Sequence, residues 1–231
     1  MKPISVCVTT YQRFEWTIRS IEQIINDERV NDVVILDDAS MDNNYVKLCD
    51  YYKDNRKVRV IRQLRNVGMA RNKRDAIAYA KNEWLLIADS DNIFHVTFID
   101  ALFNLQNISP NTIYCPAKGL PGLDYTAFQG IVIDKSNVKD FIDLPYFAAL
   151  ENTSNYVVNR NFFLKVWQEN KTVKGIDTHW HLYNHLKNNG SIFVVPEMTY
   201  IHTTHAGSEW LKDAAYNMKQ YKEIDKLILE L

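Results

Sequence analysis

Cysteine is scarce: Cys7, Cys49 and Cys115 stand far apart, with no CxxC pair among them. That argues against both a disulfide-stapled scaffold and a cysteine zinc site. No run of 18 apolar residues occurs, so no membrane-spanning helix is predicted. The amino end passes from MKP straight into an apolar segment without a charged leader, which gives a cytoplasmic expectation. Net charge is lacking too: 27 Lys and Arg against 28 Asp and Glu leave −1 over 231 residues, so the total demands no polyanionic partner. No GxGxxG follows the first apolar run and no GxxxxGK[ST] occurs, which removes NAD-type and P-loop sites. Repeats, low-complexity tracts and linkers are absent as well.

What is present is ordinary globular composition, 46% hydrophobic and 24% charged, in a chain long enough for one domain with a substantial core. The first half alternates β-rich runs with helical ones. PISVCVTT, DVVILDD, KVRVI and WLLIAD read as strands, and FEWTIRSIEQIIND, YVKLCDYYK and GMARNKRDAIAYAKN between them as helices. Strands separated by helices predict βαβ units and a mostly parallel, Rossmann-like sheet with flanking helices. After the helical HVTFIDALFNLQ the pattern loosens, then regains order in YVVNRNFFLKVWQEN and in a helix that stops at Gly190 before a further strand. A single α/β domain over 1–231 is expected: a half over about 1–95, a second over about 96–205, and an amphipathic helix over 208–231. That last helix places Leu211, Ala214, Met218, Tyr221, Ile224 and Ile228 on one face. Packing against the domain is its first reading; a homodimer contact and peripheral membrane contact are the others.

Carboxylates gather where strands end. EWLLIADSDN closes an apolar run on Asp89 and Asp91, and ILDDAS closes another on Asp37 and Asp38. In open α/β sheets ligands bind beyond the carboxyl ends of strands. Two Asp at i and i+2 there suit a hard cation, Mg²⁺ or Mn²⁺, which completes its shell with water and phosphate oxygens. The competing reading is helix capping, since a helix follows Asn92. Four acids at one edge would repel one another unless a ligand used them. RNVGMARN adds Gly68 at a loop-to-helix junction with Arg65 and Arg71 nearby, a natural place for phosphate charge. The basic run from Lys53 to Arg74 reads as a solvated edge, as a phosphate-facing set, or as a nucleic-acid contact. His179, His181 and His185 fall at helical spacing that points them to different sides, which argues against a zinc site there.

SVCVTTYQR, ILDDASMDN, RNVGMARN and LLIADSDN, in this order and at these separations, resemble the nucleotide-binding half of the GT-A glycosyltransferases of inverting family 2. NYVVNRNFFLKV and GIDTHWHLYNHLKNNG look like that family's acceptor-side motifs. The resemblance implies a GT-A fold and a metal-dependent inverting transfer from a nucleotide-diphosphate sugar, UDP favoured, to a hydroxyl acceptor such as a glycan. By the same resemblance, Thr9 and Tyr11 line the nucleotide pocket, Asp38 holds the uracil edge, Arg71 sits near the diphosphate, and Asp89 contacts ribose or metal-bound water. Asp91 binds Mn²⁺ or Mg²⁺, with His205 favoured over His202 as a further ligand. Asp177 matches the catalytic base, although Ile176 stands where the family usually has Glu, which puts acceptor contacts in doubt. Trp167, Trp180, Tyr146 and Trp210 are candidates for stacking on a sugar. Two other readings stay open: an inactive nucleotide-sugar-binding scaffold, and a glycosyltransferase acting on modified DNA bases.

Overall fold

A computed structural model describes residues 1–173, 175–205 and 208–231, with Glu209 described by its backbone alone. In the first half β1 (Ile4–Thr10), α1 (Phe14–Ile21), β2 (Val30–Asp37), α2 (Asn44–Tyr52), β3 (Val58–Arg62), α3 (Met69–Tyr79) and β4 (Trp84–Asp89) alternate as expected. There follow β5 (Ile93–Phe94), α4 (Val96–Phe103), β6 (Thr112–Leu120), β7 (Leu123–Asp124), β8 (Val132–Asp134) and α5 (Phe147–Glu151). The last elements are β9 (Tyr156–Asn159), α6 (Arg160–Val166), α7 (Asp177–Lys187), β10 (Ser191–Ile201), α8 (Glu209–Lys212) and α9 (Ala214–Leu229).

One sheet runs β3-β2-β1-β4-β9-β6-β10-β5. The first four strands are parallel, as right-handed βαβ connections require. Beyond β4 the sheet is mixed, which the expectation of a mostly parallel sheet did not anticipate: β9 pairs antiparallel to β4 and β6, while β6 and β10 are parallel. Alternate residues of each central strand enter opposite cores. Cys7, Val34, Leu36, Leu85 and Ile87 lie in one cluster, and Val6, Val8, Val33, Ile35, Leu86 and Ala88 in the other. Coverage of both faces is why these strands read as continuous apolar runs.

Several local expectations change. α1 stops at Ile21, and Ile24 and Ile25 reach the core from the turns that follow. The carboxyl-terminal helix breaks at Asp213 into α8 and α9. Tyr221, Ile224 and Ile228 are buried beneath it, whereas Leu211 and Met218 are about half exposed, so only part of the expected face is core. At the end of α7 it is Asn189 that takes a left-handed conformation, φ 61°. Gly190 is required for close approach instead: a Cβ there would stand 2.2 Å from the His185 ring.

His181 and His185 are both buried in α7. Nε2–H of His185 faces the carbonyls of Asn111 (3.0 Å) and Ser191 (3.2 Å), and burial pushes its imidazole down to about 4. A neutral folded His185 and an unfolded one that protonates near 6.5 mean that protons bind the unfolded chain preferentially between those values. Stability is therefore full above about pH 6.5 and falls as pH drops toward 4, by up to about 1.4 kcal/mol per unit from this group. Urea unfolding at pH 7, 6 and 5 should show that slope in the wild type and a shallower one in His185→Gln; an unchanged slope would count against His185 as its source.

Candidate active site

β4 delivers Asp89 to the sheet edge opposite Thr9 of β1, and the chain turns at Ser90. Capping does not explain the carboxylates that follow. After Asn92 comes β5, and α4 begins only at Val96 behind His95. Asn92 instead accepts the Thr203 N–H at 3.0 Å, tying the end of β4 to the end of β10. That tie carries His202 and His205 to the same place. Nε2 of His205 lies 2.8 Å from Oδ2 of Asp91, and a guanidinium nitrogen of Arg13 lies 2.6 Å from the same oxygen. His202 is also at the site, its Nδ1 buried without a hydrogen-bond partner, and burial lowers its basicity.

A second cluster adjoins the first. The Lys73 ammonium, on α3, stands 3.5 Å from Asp89 and 3.1 Å from Asp177 and donates to Ser154 at 2.7 Å. Ser154 in turn shares a hydrogen bond with Thr178. Burial alone would push the Lys73 ammonium down, but the carboxylates of Asp177 and Asp89 more than offset it and hold it above its ordinary range. Burial pushes the Asp89 carboxyl up; Lys73 opposes the shift, and Asp91 and Asp177 add to it. Asp177 is the first residue of α7, behind Ile176 at the N-cap. Both clusters line one cavity of about 530 Å³, which takes in Arg13, Lys73, Asp89, Asp91, Asp177 and His205. That size suits a small-molecule ligand.

The other residues assigned from the sequence are placed differently. Thr9 is half-buried beside Asp89, Tyr11 is 37% exposed past the strand tip, and neither lines this cavity. The two oxygens of Asp38 accept the N–H groups of Val67 (2.8 Å) and Gly68 (3.0 Å), where Gly68 holds φ 83°. Asp38 thus fastens the loop that starts α3, a reason for the carboxylate that needs no nucleotide. Asp37 is likewise used internally, by Ser40 and Asn44. Arg71 pairs with Asp75 one turn on, stands over Trp167, and does not line the cavity. The helix phase of α3 sends Lys73, not Arg71, inward. Sequence reasoning missed both Lys73 and Arg13: Arg13 closes the motif SVCVTTYQR, and Lys73 stands one residue past RNVGMARN. Of the four aromatic candidates only Trp210 lines the cavity; the Trp180 indole donates to the Gln168 carbonyl. The three histidines of α7 face different surroundings, as their spacing implied, and all are buried: His179 lies against Tyr221, His181 against Phe163, and His185 at the Asn111 and Ser191 carbonyls.

The description "Glycosyl transferase family 2" matches residues 5–128, more than half of the chain. The chain belongs to glycosyl transferase family 2. Glycosyltransferase GlyG of Streptococcus pneumoniae serotype 4 is 35% identical over 103 residues, 43% of this chain and 34% of GlyG. TarS of S. aureus, residues 1–349 with UDP-GlcNAc, superimposes with a TM-score of 0.69 at 18% identity, over 99% of this chain and 65% of that one. The mannosyltransferase PcManGT of Pyrobaculum calidifontis, with GDP-Man and Mn²⁺, gives 0.68 at 14%, over 97% and 65%. These likenesses confirm the GT-A fold. The family 2 chain spans about a third of GlyG and just under two thirds of the TarS and PcManGT chains.

Lys73 makes the sharpest stability test of this site. Lys73→Met would leave Asp89 and Asp177 facing each other without their buried cation, a loss expected to cost about 3–5 kcal/mol. Arg71→Met removes a surface pair and should cost under about 1 kcal/mol. Equal losses in urea unfolding at neutral pH would show that Lys73 does not organise the site.

Proposed function

We propose that this chain transfers a sugar from a nucleotide diphosphate, UDP in the first instance, to an acceptor hydroxyl with inversion at the anomeric carbon. The observation that carries the reading is the convergence of Asp89, Asp91 and Asp177 on one cavity from the two halves of the chain. The ligands named for TarS (UDP-GlcNAc) and PcManGT (GDP-Man and Mn²⁺) support a nucleotide-sugar donor and a divalent cation, with GDP as the second choice of nucleotide.

The residues present fit a cation. Octahedral Mg²⁺ with bonds of about 2.0–2.1 Å holds adjacent ligand atoms about 2.8–3.0 Å apart, and Asp91 Oδ2 and His205 Nε2 are separated by 2.8 Å. Asp91 and His205 would hold the ion, with Asp89 and His202 beside them. Bound there, Mn²⁺ or Mg²⁺ would act as a Lewis acid toward the charge growing on the departing diphosphate. Asp177 takes the proton of the acceptor hydroxyl as its oxygen attacks the anomeric carbon, on the face opposite the leaving group. Lys73 positions that carboxylate and Asp89 together. Thr9 and Tyr11, at the tip of β1, remain the proposed nucleotide contacts, and Asp38 contributes by fixing the loop ahead of α3.

Transfer to DNA bases is the weaker reading, because much of the basic run is already engaged in intramolecular pairs. Lys57 donates to the carbonyls of Ile25 and Asp27, Arg59 pairs with Asp32, Arg62 donates to the Ser40 carbonyl, and Arg71 and Arg74 pair with Asp75. Among the described residues no helix is long and apolar enough to cross a membrane.

Two measurements test the proposal. UDP binding by calorimetry should strengthen with Mn²⁺ and weaken with chelator in the wild type, and Asp91→Asn should abolish that difference; metal-independent UDP affinity in the wild type would refute the cation role. Asp177→Asn should lower turnover by about two orders of magnitude or more while leaving donor affinity nearly unchanged. Unchanged turnover would remove Asp177 as the base, and absence of turnover in the wild type would favour a binding protein without transfer activity.

A further inference from the structure

Glu151 ends α5, His179 lies two residues into α7 beyond Asp177, and Asp225 projects from α9. None of the three lines the cavity described above. The Glu151 and His179 side chains are fully buried, and Asp225 is 22% exposed. Nε2 of His179 stands 3.1 Å from Oδ1 of Asp225 and 3.7 Å from Oε2 of Glu151, and one ligand-type atom from each of the three lies within 4.8 Å of the others.

The cluster is not explained as a hydrogen-bond network. Oε1 of Glu151, both ring nitrogens of His179 and Oδ1 of Asp225 are buried without a hydrogen-bond partner; the His179–Asp225 approach is close but out of line. Buried polar atoms are rarely left unpaired, and Nε2 of His179 and Oδ1 of Asp225, both unpaired and 3.1 Å apart beside the Glu151 carboxylate, suggest a ligand between them. The one strong hydrogen bond here runs from the Tyr221 hydroxyl to Oε2 of Glu151.

We propose that Glu151, His179 and Asp225 form a second divalent-metal site, of the zinc type, that fastens α9 to α5 and α7. Zinc bonds to imidazole nitrogen and carboxylate oxygen of about 2.0–2.2 Å, at tetrahedral angles, put ligand atoms about 3.3–3.6 Å apart. The separations of 3.1 and 3.7 Å bracket that range. One imidazole with two carboxylates favours a transition metal over Mg²⁺. Tyr221 stands outside as the group that orients the Glu151 carboxylate, the usual service of an outer hydrogen bond at such sites. The partial exposure of Asp225 provides the way in for the ion. Burial pushes the Glu151 carboxyl up to about 8, and a dication would relieve that cost by pairing with the carboxylate.

The site is tested on the full chain carrying Asp91→Asn, so that ions held at the cavity do not intrude. Chelator-treated protein is titrated with Zn²⁺ against a chromogenic chelator, and its melting temperature is followed in parallel. One saturable equivalent and a rise in melting temperature are expected. Adding Asp225→Asn should weaken that equivalent by at least about tenfold, since loss of outer partners alone weakens metal binding about 10- to 100-fold, and should cancel the rise in melting temperature. Glu151→Gln, which still accepts the Tyr221 hydroxyl, should do the same and serves if the first variant does not fold. Absence of saturable Zn²⁺ binding, or binding untouched by both variants, would overturn the site and leave a buried polar cluster only.

Discussion

A single buried ammonium joins the two halves of this protein. Lys73 comes from α3, in the nucleotide-side half, and meets Asp89 at the end of β4 and Asp177 at the start of α7. Two carboxylates side by side would repel one another, and burial already disfavours the charge of Asp89. The cation makes their approach affordable, and its further bond to Ser154 draws in the segment before β9. The position of the proposed base relative to the strand-end acids is thus set by electrostatics across the domain, not by α7 alone.

The two acidic strand ends show how one sequence pattern can have two physical outcomes. ILDDAS and LLIADSDN both close apolar strands on a pair of carboxylates. At the first, hydroxyl, amide and backbone donors meet the charges: Ser40 and Asn44 at Asp37, and Val67 and Gly68 at Asp38. At the second, the partners are the charged or ionisable side chains of Arg13, Lys73 and His205, and the group faces a cavity. Carboxylates closed off by backbone donors build structure; those that face a cavity beside side-chain cations are open to a ligand.

Much of the first half was legible because strands covered on both faces are apolar throughout, and β4 was read from Trp84 to Asp89 as it stands. Asp89, Asp91, Asp177 and His205 were legible as residue types at strand and helix ends. What the sequence left open was side-chain direction. MARNKRD offers three cations within four positions, and only the phase of α3 against the sheet decides that Lys73 turns inward while Arg71 and Arg74 meet Asp75. β9 escaped for a related reason: it is short, and it owes its place to pairing with β4 and β6, partners remote in sequence. The histidines of α7 were judged by spacing, whereas their burial depends on the elements around the helix, including α6 and α9.

Arg13 bears on how ligands would enter. Its guanidinium and the His205 ring share one oxygen of Asp91, the oxygen an incoming cation would need. With Asp89, Asp91 and Asp177 in one cavity and Arg13 and Lys73 opposing them, a nucleotide diphosphate arriving without a cation would meet more repulsion than attraction near Asp91. A cation taking its place at Asp91 would release Arg13, whose side chain is 28% exposed and so not locked by packing. The freed guanidinium would then be available to phosphate oxygens, which it can grip with two parallel hydrogen bonds. On the proposed reading, cation and donor enter as one charge-balanced unit, and Arg13 changes partner from carboxylate to phosphate as they do.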